Sequence, residues 1–251
     1  MKFRLKAFGL HLLASTVALT LIFGALYLGW YRWPGWYLAG VSQVVFVMAG
    51  VDVVVGPTLT FIVARADKPR RELTRDIAVI VAMQLAALTY GTMSIWNGRP
   101  LYYAFSETVL QVVQAYDISP GEMLLARRQK AALVPHWYSL PRWIWAPLPQ
   151  DSQESHRIVA SAVAGGDDVI SMPRYFKPWE QGLPALRTQL KRVDDVGYFS
   201  PAEKKTLKEH MRAAGLSTDE HSSIPLTGRG HPLLAVFDPA SLKIIAIFKA
   251  K

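Results

Sequence analysis

One acidic residue inside an apolar stretch poses the first chemical question. It is Asp52, in Gly50-Val51-Asp52-Val53-Val54-Val55-Gly56-Pro57-Thr58-Leu59-Thr60. A carboxylate at the centre of a membrane-crossing helix costs at least about 2.5–3.5 kcal/mol on insertion scales, so intramembrane acids generally serve a purpose. Pro57 removes a backbone donor and crowds the turn before it, which predicts a kink near Val53. Gly50 and Gly56 flatten the helix and admit a second helix at close range. Gly50, Asp52, Gly56 and Pro57 are therefore candidate contacts for a partner helix. The alternative is internal, with Asp52 hydrogen-bonded inside its own bundle. Counting depth along the spans puts Thr16, and Thr89 or Tyr90, within its reach. Gln84 and His11 fall nearer the inner face and read as local packing or snorkelling groups.

The second half of the chain offers little chemistry. Cysteine is absent, which excludes disulfides, thiolate metal sites and thiol nucleophiles. His136, His156, His210, His221 and His231 are scattered, with no pair at ligand spacing on one helix. Asp167-Asp168 and Asp194-Asp195 are adjacent acids whose side chains point apart. Gly165-Gly166 reads as a helix stop and Gly228-Arg229-Gly230 as a turn before a strand. No catalytic, cofactor-binding or metal-binding residue is assigned. Trp137, Trp143 and Trp145 remain as a candidate contact surface on the outer side: flat rings that bind a sugar, a peptide or the membrane surface, or else complete a small core. A membrane-anchored enzyme acting on glycan or lipid would need an acid or base there, and His136 beside Trp137 is the available one. Lys204, Lys205, Lys208 and Arg212 share a helix with Glu203 and Glu209, a solvated face too weak to suggest nucleic acid.

The elements that must carry these residues fall into two parts. Half of the 251 residues are apolar, and the formal net charge is +9. Three long apolar runs occupy about 7–28, 38–63 and 77–95, each long enough to cross a hydrocarbon core of about 30 Å. Aromatic residues follow the first run where a cleavage site would need small ones, so it reads as a retained anchor. A tight aromatic loop, Trp30 to Tyr37, separates the first two runs. The loop over 64–76 carries five basic residues, Arg65, Lys68, Arg70, Arg71 and Arg75. Basic residues collect on the cytoplasmic side, so the N-terminus and this loop are expected inside and everything after Trp96 outside.

From residue 99 the pattern changes to strands and capped helices. Leu101–Phe105 and Val109–Tyr116 predict a hairpin about Ser106-Glu107-Thr108. Ser119-Pro120-Gly121-Glu122 and Ser200-Pro201-Ala202-Glu203 each open a helix with a Ser cap, Pro at the first position and Glu at the third. Further helices are expected from Asp151 to Gly165 and over about 183–193. Residues 134–149 read as an ordered Pro/Trp-rich loop. The chain ends on the strongest hairpin signal, Pro232–Phe237 and Leu242–Phe248 about Asp238-Pro239-Ala240-Ser241. The expected fold is an α+β membrane protein: three N-terminal transmembrane helices (1–98), then an outer α+β domain (99–251) whose antiparallel sheet joins the two hairpins.

Several of these segments taken together resemble a known family. The basic start, the span ending near Tyr27–Trp30, the Gly50–Thr60 segment, Lys68–Asp76, Gln84-Leu85-Ala86-Ala87-Leu88-Thr89-Tyr90-Gly91 and Arg99-Pro100-Leu101-Tyr102-Tyr103-Ala104-Phe105 are similar to the TfpX/TfpZ family of type IV pilin accessory proteins. The resemblance covers about residues 1–118 and continues as general layout. It implies a protein of the bacterial inner membrane, so that with the charge-based orientation above the N-terminus is cytoplasmic and the outer domain periplasmic. It implies a non-enzymatic, chaperone-like role in fimbrial biogenesis, with the major type IV pilin and the lipid bilayer as partners. It brings no catalytic or ligand residues and no cofactor.

Overall fold

The computed structural model describes residues 1–250. The chain divides into two units, residues 1–32 with 41–98, and residues 33–40 with 99–251.

The first unit holds three helices long and apolar enough to cross a membrane. They are α1 (Lys2–Gly29), a composite helix over Ser42–Val63, and α5 (Arg70–Asn97). The composite helix is α3 (Ser42–Ala49), a π turn (Gly50–Val55) and α4 (Gly56–Val63). Pro57 explains the π turn. With no N–H and with its ring against the carbonyl four residues back, it cannot continue an α ladder. The helix widens instead, and the Gly56 N–H donates to the Val51 carbonyl five residues earlier. At one end α1 and α5 are fastened by an edge-to-face pair, Trp30 and Trp96, 4.9 Å apart. Nearby the Tyr31 hydroxyl donates to the Ile95 carbonyl at 2.6 Å.

The second unit is built on a seven-stranded mixed sheet in the order β4-β3-β1-β2-β5-β6-β7. The strands are β1 (Pro100–Ser106), β2 (Val109–Gln114), β3 (Arg142–Trp145), β4 (Lys177–Pro178), β5 (Ser223–Thr227), β6 (Leu233–Phe237) and β7 (Ile244–Lys249). Both expected hairpins form. β1 and β2 pair with Tyr103 opposite Val112, and β6 and β7 pair with Ala235 opposite Ile247. They are not joined into one antiparallel sheet. β5 intervenes, antiparallel to β6 but parallel to β2, and β3 adds parallel to β1. Residues 134–149 are therefore not all loop. Arg142–Trp145 is a strand that alternates only over four residues, too short a run for its period to stand out from the prolines around it.

Helices cover both faces of this sheet, which is why β1 is buried along its whole length. On one face Tyr103, Phe105, Leu110, Val112, Leu226 and Phe237 pack under α8 (Trp179–Gln189) and the short helix α2 (Gly35–Ala39), whose Leu38 is fully buried. On the other face Tyr102, Ala104 and Ile144 meet Phe176 and the helix α6 (Pro120–Arg128) region, while Leu234 and Val236 meet Leu207 and Met211 of α9 (Pro201–Ala213). α7 (Ser152–Val163) buries Ile158 against Val169 and Met172.

Candidate functional site: a buried aspartate on a widened helical turn

Asp52 is the third residue of the π turn and only 4% exposed. Its partner comes from α5. The Gln84 Nε2 donates to the Asp52 backbone carbonyl at 3.3 Å and to Oδ1 at 3.4 Å. Both bonds are long, and among the described residues neither Asp52 Oδ2 nor Gln84 Oε1 has a hydrogen-bond partner. Buried polar atoms are nearly always paired, so these two stand out in an otherwise apolar helical unit.

Two grooves open beside it, both lined in part by Asp52. One, of about 220 Å³, lies between α1 and α5 and is floored by Ala14, Ala18, Asp52, Gln84 and Leu88. The other, of about 430 Å³, runs between α3 with its π turn and α5, past Val47, Val51, Ala87, Tyr90 and Ser94. Small residues line each: Ala14, Ser15 and Ala18 of α1 the first, Ala87, Gly91 and Ser94 of α5 the second. The four residues singled out from the sequence divide between two roles. Gly50 has open space where a side chain would stand, whereas a Cβ on Gly56 would overlap the Gln84 carboxamide. Gly56 and Pro57 are buried within the chain.

The internal partners expected for Asp52 were misassigned. Asp52 is met by Gln84, while Thr89 and Tyr90 are exposed and no hydrogen bond joins Thr16 to it among the described residues. Gln84 stands at the middle of α5 and meets Asp52 across the helix pair. His11 is also engaged, its Nδ1 at 2.6 Å from Thr60 Oγ1.

In the second unit the three tryptophans are not brought together. Trp143 stacks on Tyr103 at 4.7 Å and meets Trp179 at 5.4 Å, filling the sheet face beneath α8. Trp145 packs over Gly182, where a Cβ would come within 2.6 Å of its ring, and carries Lys177 over its face at 5.2 Å. These two rings pack, half-buried, against the core. Trp137 is 72% exposed and pairs edge to face with Tyr138. His136 stacks on Tyr138 at 5.4 Å. Among the described residues no cluster of three His, Asp or Glu side chains could hold a metal ion.

Two constructions escaped the sequence reading. Arg174, almost buried, lies between Glu122 (3.3 Å) and Glu154 (3.6 Å). Burial raises the Glu122 carboxyl, with Arg174 pulling it back. Hydrogen bonds from Arg157 and then Tyr175 hold Glu154 below the usual carboxylate range. Burial, then the bond to Glu154, pushes the Tyr175 hydroxyl up to about 12. The second is a clasp: the N–H groups of Arg229 and Gly230 both donate to the Leu38 carbonyl, at 2.7 and 3.2 Å. A Cβ on Gly228 would lie 2.5 Å from that oxygen, and one on Gly230 2.5 Å from the Tyr37 carbonyl, so glycine is required at both.

The fold combines three helices long and apolar enough to cross a membrane with an α+β unit. Among known proteins, the chain is similar to three fimbrial assembly proteins of Dichelobacter nodosus. That of serogroup E1 is 25% identical over 228 residues, 89% of this chain and 86% of that protein. That of serogroup I is 26% identical over the same length. That of serogroups C1 and C2 is 31% identical over 121 residues, 48% of this chain and 92% of that protein. The chain belongs to this family of fimbrial assembly proteins. No family model matches the sequence, and no solved structure matches the fold.

Proposed function

We propose that this chain is a non-enzymatic accessory protein of type IV pilus assembly, of the TfpX/TfpZ kind, that binds and stabilises the major pilin in the bacterial inner membrane. Family membership supports the pilus role. The observation that carries pilin binding is Asp52: a buried carboxyl with one oxygen unpaired, at the floor of laterally open grooves between apolar helices. An apolar helix bearing a hydrogen-bonding group would complete it, entering through the groove of Val47, Val51 and Ser94, with Gly50, whose Cβ position is open, as a further proposed contact. The outer unit would meet the pilin's head.

The proposed orientation is N-terminus inside and 99–251 in the periplasm. Lys2, Arg4, Lys6 and the five basic residues of 64–76 support it. A parity argument supports the three crossings, though not their direction. Residues 33–40 fold into the same unit as 99–251, and one unit cannot straddle a bilayer, so both segments share a side, as three crossings require.

The test is photocrosslinking in the native host with a benzophenone side chain at Val47, and separately at Val79, which is exposed but lines neither groove. The major pilin should be captured from Val47 and not from Val79, and Asp52→Asn should lower surface piliation at an unchanged level of this protein. Capture of lipid alone at Val47 would overturn the reading. Disappearance of the Asp52→Asn protein would make Asp52 a structural residue instead.

A further inference from the structure

Residues 127–142 expose aromatic and cationic side chains side by side. Tyr138 and Leu140 are 57% and 58% exposed, next to Trp137. Arg127, Lys130 and His136 line an open groove of about 510 Å³ against this loop. Exposed Arg142 lies over the Tyr102 ring at 5.5 Å, and the Tyr102 hydroxyl donates to the Leu133 carbonyl at 2.6 Å, which holds that guanidinium at the same segment. Among the described residues, Arg127, Lys130 and Arg142 form no ion pair, unlike Arg157, Arg174 and Arg192 elsewhere in the unit. The cations are thus left facing solvent beside rings of the type that settle at membrane interfaces.

The chain itself says what covers this patch. Arg99 follows Asn97, the last residue of the third apolar helix, by two positions, and its Nη2 donates to the Trp137 carbonyl at 3.2 Å. Each residue spans at most about 3.6 Å, so the loop is tied a short reach from where the chain leaves α5. We propose that this patch docks on the surface of the bilayer that holds the chain's own helices. Trp137, Tyr138 and Leu140 enter the headgroup layer, and Arg127, Lys130 and Arg142 bind anionic phospholipid headgroups. A basic residue near an anionic membrane surface shifts such an equilibrium about fivefold, so loss of two shifts it roughly 30-fold. This inference stands apart from the pilin reading.

The chain has no cysteine, so Leu140→Cys and Val163→Cys can each carry a single nitroxide in the full protein. Val163, on α7, is 85% exposed and serves as the water-facing reference. The labelled proteins are placed in nanodiscs of phosphatidylcholine alone or mixed with phosphatidylglycerol. Collisions with dissolved oxygen and with a water-soluble nickel chelate are then compared. In anionic discs the label at 140 should favour oxygen and the label at 163 nickel, and Arg127→Gln with Lys130→Gln should return the 140 label toward water. A 140 label as wet as the 163 label in anionic discs overturns the proposal. So does a 140 label shielded equally in neutral discs and indifferent to the two substitutions, which removes the headgroups from it. Protection that arises only on adding pilin would assign the patch to a protein partner.

Discussion

Gly50 and Gly56 flank the same turn, yet the structure gives them opposite sensitivities. At Gly56 an alanine methyl would occupy the position of the Gln84 carboxamide. Gln84 is a flexible chain and can swing away, but doing so abandons Asp52. The interhelical hydrogen bond lost is worth about 0.6 kcal/mol on average in membrane proteins and up to about 1.7. Forcing the methyl into a closed contact adds about 1–3 kcal/mol. The gain in helix propensity from Gly to Ala offsets about 1 kcal/mol of this. Gly56→Ala should therefore destabilise the helical unit by roughly 1–4 kcal/mol. Gly50→Ala, with open space around its Cβ position, should leave stability unchanged or raise it slightly. Unfolding of the full chain in bicelles by titrated SDS, followed by a fluorophore pair on α1 and α5, measures both. The functional half uses bulk: Gly50→Ile should lower surface piliation while leaving the unfolding curve in place. A Gly56→Ala protein as stable as the parent would refute the packing argument. Gly50→Ile with normal piliation would remove Gly50 from the partner groove.

Three further outcomes are expected. Gly228→Ala forces the β5–β6 turn off the Leu38 carbonyl, combining about 1–3 kcal/mol of overpacking with weakening of two hydrogen bonds of about 1 kcal/mol each; protease cleavage within 33–40 should accelerate strongly. Arg174→Met strands Glu122, whose carboxyl burial already raises. With the arginine gone the folded state favours the protonated acid still more, so stability should fall as pH rises from about 4.5, and the penalty read by thermal unfolding should be larger at pH 8 than at pH 5. Trp143→Ala should cost about 3–5 kcal/mol because its ring fills the sheet face, whereas Trp137→Ala should stay within about 0.5 kcal/mol; equal effects would contradict the division of the tryptophans.

The readable parts of the fold are those whose signal is local. The capping residues act within one turn, and the structure has Ser119 and Ser200 accepting from Glu122 N and Glu203 N. Both hairpins announce themselves by alternation and turn residues, and Glu107, in the first turn, takes a positive φ of 49°. What was missed is non-local. β5 carries no turn of its own to β2, and its parallel pairing at Leu110 and Leu226 joins residues far apart in the chain. The outer boundary at residue 99 misses the same kind of contact, since 33–40 lies between two apolar runs and its place under Gly228 depends on a turn nearly two hundred residues later.

The candidate site was half legible for a related reason. An acid, two glycines and a proline in an apolar run identify a special turn, because each residue breaks a rule of helices in lipid that acts at that position alone. Which helix answers the acid depends on where the neighbouring helix starts, and that start was hidden. Arg70 to Asp76 is charged enough to read as loop, yet it is the first two turns of α5. Lys68 pairs with Asp76 there, and the remaining charges of these turns face outward along the helix. With the start at Arg70, Gln84 falls at the middle of α5. It also separates the glycines: Gly56, level with Gln84, is used up inside the chain, and Gly50, one and a half turns away, is not. A glycine facing its own bundle and one facing a partner obey the same steric rule, so spacing alone cannot tell them apart. The side chain opposite decides it, and at Gly50 that side chain is the one the pilin is proposed to supply.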